Sequence, residues 1–144
     1  MNADILQIAD AIVADLNGHT FDPPFRAERG YLPTFELPDM DVLRVTVVPK
    51  EDDGRLDSRS SSSHDYAIDV GIQKKPPTID NTQLDPLMLL TQQIVDFFLF
   101  GKRPGGATLI APHVRILYLP EHLHKFRQFT SVVTLTFRGW RKAT

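Results

Sequence analysis

No cysteine occurs among the 144 residues, which excludes a disulfide framework and all thiol chemistry and fits assembly inside a cell. No run reaches the roughly 18 consecutive apolar residues of a membrane-spanning helix, and the opening residues lack a basic stretch followed by an unbroken apolar segment. Neither membrane insertion nor secretion is expected, and the cytoplasm is the expected place of synthesis. A large charge of one sign is also missing. With a formal net charge of −2, binding nucleic acid by neutralising phosphates would need a local basic patch.

Several catalytic signatures are absent as well. There is no G-x-S-x-G turn to expose a nucleophilic serine and no G-x-G-x-x-G for a dinucleotide. Gly101-Lys102 is only a fragment of a phosphate loop, because the upstream glycine and the downstream Ser or Thr are missing and it ends a helix rather than opening one. No repeat of solenoid period is present, and the one low-complexity tract is Ser60 to Ser63. What is there reads as a folded domain. An apolar fraction of 42% with 24% charged residues is that of a globular protein, and the length suffices to bury roughly two thirds of the unfolded surface as a single domain over 1–144.

The most legible segment is Asp85 to Arg103. Asp85 can cap a first turn with Pro86 at its first position, the Pro-led connection Lys74 to Leu84 leaves open a first helical turn beginning near Asp80, and Gly101, Lys102, Arg103 and Pro104 form a stop. Leu87, Leu90, Ile94, Phe97 and Phe98 share one helical face, with Met88 and Val95 at its margin. Asp85, Gln92, Gln93 and Asp96 make the opposite side, with Leu89 alone among them, as a stray exposed leucine or part of a partner surface. A second helix is expected over Ala3 to Leu16, capped by Asn2 and stopped by Asn17-Gly18, with Ile5, Ile8, Ala9, Ile12 and Leu16 as its buried stripe.

The remaining elements are extended. Pro23, Pro24, Pro33 and Pro38 restrict the next stretch to a short piece near Phe25 to Tyr31. Asp41 to Val48 is β-branched, and in Asp65 to Gln73 the residues Tyr66, Ile68, Val70 and Ile72 alternate with polar ones. Between them Lys50 to His64 is almost wholly polar, and the pattern leaves two forms open, a flexible loop or an extended hairpin arm. Thr108 to Leu119 carries apolar groups on both faces, which predicts a central or doubly covered strand. Pro120 to Gln128 reverses the chain, and Phe129 to Trp140 returns with Phe129, Val133, Leu135 and Phe137 on one face. The expected class is α+β, a mostly antiparallel sheet of about five strands with two helices packed on one face.

The remaining clusters carry little chemistry. Glu121, His122 and His124 lack an evident third metal ligand, and Glu51, Asp52, Asp53 and Asp57 lack the order of a calcium loop. Lys74 with Lys75, and Arg138 with Arg141 and Lys142, are small basic groups of the kind that flank strands. No metal, cofactor or catalytic residue is expected, and the chain is not expected to be an enzyme.

The opening helix ADILQIADAIVADLN, the strands DVLRVTVVPK and HDYAIDVGIQKK around a polar segment, the helix ending DFFLF, and the closing pair VRILYLPEHL and FTSVVTLTFRGWR together resemble the small tail terminator and tail-completion (neck) proteins of long-tailed bacteriophages. The resemblance covers nearly the whole chain. It implies a structural virion protein that forms a hexameric ring at the head-proximal end of the tail tube, ends tube polymerisation and meets the head connector or neck, with DNA passing through the lumen unbound. Its expected places are the virion and, during assembly, the host cytoplasm. A ring needs one patch to meet a different patch on the next subunit, and the expected contact residues are Leu89, Gln92, Gln93, Asp96, Asp52, Asp53, Arg55 and Arg59. The alternatives are another minor tail or neck component, or a small nucleic-acid-binding module.

Overall fold

The computed structural model describes residues 3–31, 41–100 and 113–143. The Asn2 cap, Pro33 and Pro38, the stop from Gly101 to Pro104 and the start of a strand at Thr108 lie outside those residues. The first helix, α1 (Asp4–Asn17), buries Ile8, Ala9, Ile12 and Leu16, with Ile5 and Val13 partly buried beside them. It ends at the expected Asn17-Gly18 stop. Gly18 stays right-handed at φ −85°, and its N–H returns to the Ala14 carbonyl at 2.9 Å. Asn17 reaches sideways instead, its Oδ1 accepting from the Ala27 N–H at 2.7 Å and its Nδ2 donating to the Ala27 carbonyl at 3.1 Å. That amide acts as one more strand residue along the first strand.

Among the described residues five strands form one sheet: β1 (Ala27–Arg29), β2 (Arg44–Ser58), β3 (Ser61–Lys74), β4 (His113–Tyr118) and β5 (Phe129–Lys142), in the order β1-β2-β3-β5-β4. Every pairing is antiparallel except that of β1 with β2. The fold is thus α+β, as the element order implies, with a parallel strand at one edge. β4 corrects the expectation of a central strand, since among the described residues it pairs only with β5 and most of it is exposed. Its two apolar faces have separate causes. The register puts Val114, Ile116 and Tyr118 on the helix side and Leu117 on the open side.

The second helix, α2 (Asn81–Phe100), begins four residues before Asp85. Asp80 is the cap: its Oδ1 accepts from the Gln83 N–H at 3.1 Å, and the hydroxyls of Thr82 and Thr78 bond to the same carboxylate. Those hydroxyls, Thr82 first, hold the Asp80 carboxyl below its ordinary range. Pro86 therefore sits inside the helix, where the N–H it lacks would have bonded to the Thr82 carbonyl. A third helix, α3 (Pro120–Phe126), fills the expected chain reversal.

The buried residues of α1 and α2 join Val45, Val47, Tyr66, Ile68, Val70, Ile72, Val133, Leu135 and Phe137 in one cluster, so both long helices lie on one face of the sheet. One polar pair interrupts it. Thr91 Oγ1 is 3.0 Å from Ser131 Oγ and donates to the Leu87 carbonyl at 3.0 Å, pinning α2 to β5 at a fully buried site. Thr91→Val should cost about 1–3 kcal/mol in a urea melt, because Ser131 keeps its burial and loses this partner. Adding Ser131→Ala should recover part of that cost, and fully additive losses would contradict the pairing.

Candidate interaction surfaces

The segment from Lys50 to His64 is not a loop. β2 and β3 run through it and leave only Arg59 and Ser60 as the turn between Ser58 and Ser61. No Asn-Gly or Asp-Gly marks that turn, and a bulge between Leu56 and Ser58 helps it close. Ser58 Oγ accepts from the Ser60 N–H at 3.2 Å and bonds to Ser61 Oγ at 3.0 Å. β5 pairs with β3 as far as Lys142 opposite Ser61, and the Ala143 N–H then reaches the Ser60 carbonyl at 2.6 Å. The result is a three-stranded arm.

Register fixes which side chains share the arm's inner face. Asp52, Gly54 and Leu56 lie beside Tyr66, His64 and Ser62, which lie beside Phe137, Gly139 and Arg141. His64, only 9% exposed, stacks on Tyr66 with the ring centroids 5.6 Å apart. Its Nδ1 is 2.6 Å from Asp52 Oδ1, and its Nε2 is 2.7 Å from Ser62 Oγ. Arg141 Nη2 donates to Asp52 Oδ2 at 2.8 Å, and Arg141 Nε is 3.1 Å from Asp4 Oδ2 at the start of α1. Both Asp52 oxygens are therefore used, and the network ties β2, β3, β5 and α1 together. Gly54 makes room for it: a Cβ there would stand 2.7 Å from His64 Cε1 and 2.8 Å from Nδ1. Burial pushes the Tyr66 phenol up, against the pull of the Arg141 charge.

Ser62, His64 and Asp52 have the connectivity of a nucleophile, its base and an orienting acid. Two features argue against that chemistry. The Arg141 guanidinium shares Asp52 at 2.8 Å, so the carboxylate that would orient the base is already paired with another cation. Ser62 also sits near the start of β3, paired on both sides by β2 and β5, where backbone N–H groups serve the ladder and are not set up as an oxyanion site. The network is a clasp. On the arm's outer face Asp65 accepts from Arg138 at 2.8 and 3.3 Å and has Arg55 at 3.7 Å. The Arg138 guanidinium holds the Asp65 carboxyl below its ordinary range, with Arg55 adding to the effect.

A second surface lies between α2 and β4. Met88, Leu89, Gln92, Val95, Ile116 and Tyr118, with Asp85 at the lip, line an open groove of about 440 Å³. Leu89 is 52% exposed beside Leu90 at 0%, so the two neighbours have opposite surroundings. The eight expected contact residues are not one patch. Leu89 and Gln92 belong to the groove, whereas Gln93 exchanges two 3.3 Å hydrogen bonds with the backbone of Asp22 and Asp96 is half-buried. Asp52 is committed to the clasp and Arg55 lies near Asp65, while Asp53 and Arg59 are exposed on the arm. Local sequence reasoning misses His64, Ser62, Arg141 and Asp4, whose partners are strand neighbours distant in the chain, and it misses Ile116 and Tyr118 because β4 reads as covered. His122 Nδ1 is 2.8 Å from Thr130 Oγ1, and no group of three metal-ligating side chains occurs among the described residues.

No protein family and no curated protein matches the chain. Among solved structures it is similar to a chain in the virion of a native gene transfer agent particle, with a TM-score of 0.58 and 9% identity, covering 99% of this chain and 100% of that one. At that identity the likeness establishes the fold, from end to end.

Gly54 provides the test of the clasp. Gly54→Ala should lower stability by about 1–3 kcal/mol as the new methyl displaces the His64 ring, whereas Gly71→Ala, whose Cβ would meet nothing closer than the Thr46 carbonyl at 3.9 Å, should be much milder. Equal thermal shifts for the two variants would mean that the His64 ring is not seated over Gly54.

Proposed function

We propose that the chain is a structural, non-enzymatic virion protein that forms a ring at the head-proximal end of a tail tube, where it ends tube polymerisation and joins the tail to the head connector or neck. The observation that carries this reading is the full-length likeness to a virion chain, 99% of one covered by 100% of the other. The surfaces support it. A projecting arm and a separate exposed groove are what a head-to-tail contact requires, since a ring joins two different patches.

The charge pattern also favours this reading over a nucleic-acid-binding module. On the arm's outer face Arg55, Arg138 and Lys142 are balanced by Glu51, Asp53 and Asp65, so DNA passing through the ring is not held by a basic stripe. Its location is then the virion, with the host cytoplasm during assembly, and its partners are further copies of itself, the tube protein and the connector.

Native mass spectrometry of the isolated protein, with and without tail tubes, tests the reading. A sixfold species, free or formed on the tubes, is expected. A chain that stays monomeric, ignores tubes and binds DNA with steep salt dependence would replace the reading with the nucleic-acid module.

A further inference from the structure

The sheet ends in two unlike edges. On one side the Asn17 amide already bonds to both backbone groups of Ala27 in β1. β1 covers β2 only from Val45 to Val47, with one further bond from the Gly30 N–H to the Val47 carbonyl. From Pro49 to Ser58 the outer side of β2 has no strand beside it among the described residues. β4, at the other side, is equally open. The Leu119 N–H donates to the Thr130 carbonyl at 3.1 Å, so the hydrogen-bonded pairs with β5 fall at Leu117, Arg115 and His113. The N–H and C=O groups of Val114, Ile116 and Tyr118 therefore point outward. Unpaired edges of this kind are templates for another strand.

The side chains along the two edges are complementary. Glu51 and Asp53 are exposed on the open face of the arm's edge, away from the long helices and level with Ala67 and Asp65. Asp65 has Arg138 and Arg55, whereas Asp53 faces that like charge across the ladder with no ion pair of its own among the described residues. Like charges directly opposite are destabilising, and a cation on the free side of Asp53 would offset them. His113 and Arg115 are exposed on the same open face of β4, also without an ion pair among the described residues.

We infer that the free edge of the arm pairs with β4 of a second copy of this chain, so that one sheet continues from subunit to subunit. Strand direction agrees. β2, β3, β5 and β4 alternate in direction, so two copies set edge to edge with their helices on one side bring β4 and β2 together antiparallel. The register that puts Arg115 opposite Asp53 puts Glu51 on its diagonal, and Arg55, opposite His113, is already committed to Asp65 at 3.7 Å. In that register β4 ends opposite Lys50, clear of the Val47 carbonyl that β1 holds. The two edges are different patches of one subunit, the arrangement of a head-to-tail contact. The inference deepens the proposed assembly role and rests on it for closure into a ring.

The chain has no cysteine, so Asp53→Cys and Arg115→Cys proteins, each checked by thermal melt, can be mixed and oxidised mildly. A mixed disulfide dimer forming about tenfold faster than either homodimer is expected, because pairing holds the two thiols on facing positions. In the wild-type protein the Ile116 amide should gain exchange protection as concentration rises. Asp53→Arg and Arg115→Asp should each remove that gain, and the double variant should restore it. No preferred mixed dimer, or a double variant no better than the single ones, overturns the proposal. Protection of Ile116 that appears only with added tail tubes gives this edge to the tube protein and overturns it as well. A ring in native mass spectrometry despite such a result leaves the ring reading standing and removes only this pairing. Preferred mixed dimers and restored protection without any ring species keep the pairing and remove the ring.

Discussion

Beyond Tyr66 and Phe137 the sheet outruns its hydrophobic cluster, and there one carboxylate takes over the work of a core. Asp52 offers Oδ1 to His64 and Oδ2 to Arg141, and Arg141 reaches on to Asp4 of α1. Surface ion pairs contribute little singly, about 0–1 kcal/mol. This one is different in kind, because His64 is nearly buried against Tyr66 and its other nitrogen meets Ser62. Remove the carboxylate and a buried ring loses a hydrogen-bond partner while a guanidinium loses one of its two carboxylates, which costs more than the pair contributes when intact. Gly54 follows from the same constraint, since the ring occupies the space where its side chain would be.

Much of the fold is legible in the sequence where the signal is local and periodic. The stripes of α1 and α2 and the alternation along β3 and β5 predict the buried faces that the core contains. What the pattern leaves open or misreads has physical causes. The arm is polar because the inner face is satisfied by hydrogen bonds rather than burial, so hydropathy has nothing to register, and its two-residue turn uses Arg59 and Ser60 in place of the usual glycine. The start of α2 is ambiguous in the sequence because two cap signals stand five residues apart, and Asp80, supported by Thr78 and Thr82, prevails over Asp85 with Pro86. β4 reads as covered on both sides because a strand bordering an open apolar groove carries the same apolar residues as a central one.

The candidate surfaces divide along the same line. The exposure of Leu89 can be read from a helical wheel, which needs only residues within two turns. The engagement of Gln93 by Asp22, 71 residues away, cannot, nor can the meeting of Asp52 with Arg141, 89 residues away. The structure brings Leu89 beside Ile116 and Tyr118; that juxtaposition turns a single leucine into a surface. Arm and groove then lie at different ends of one sheet, with β5 as the rigid spacer between them.

The arm belongs to the folded sheet of the isolated chain and does not wait for a partner to order it. Amide hydrogen exchange at Ser62 to Tyr66, measured on dilute protein, tests it most directly. Exchange slowed by orders of magnitude, approaching that of Ile68 to Ile72, is expected, because these amides lie mid-sheet between β2 and β5. Exchange at the rate of an unstructured peptide from Ser62 to Tyr66, with protection only from Ile68 onward, would contradict it.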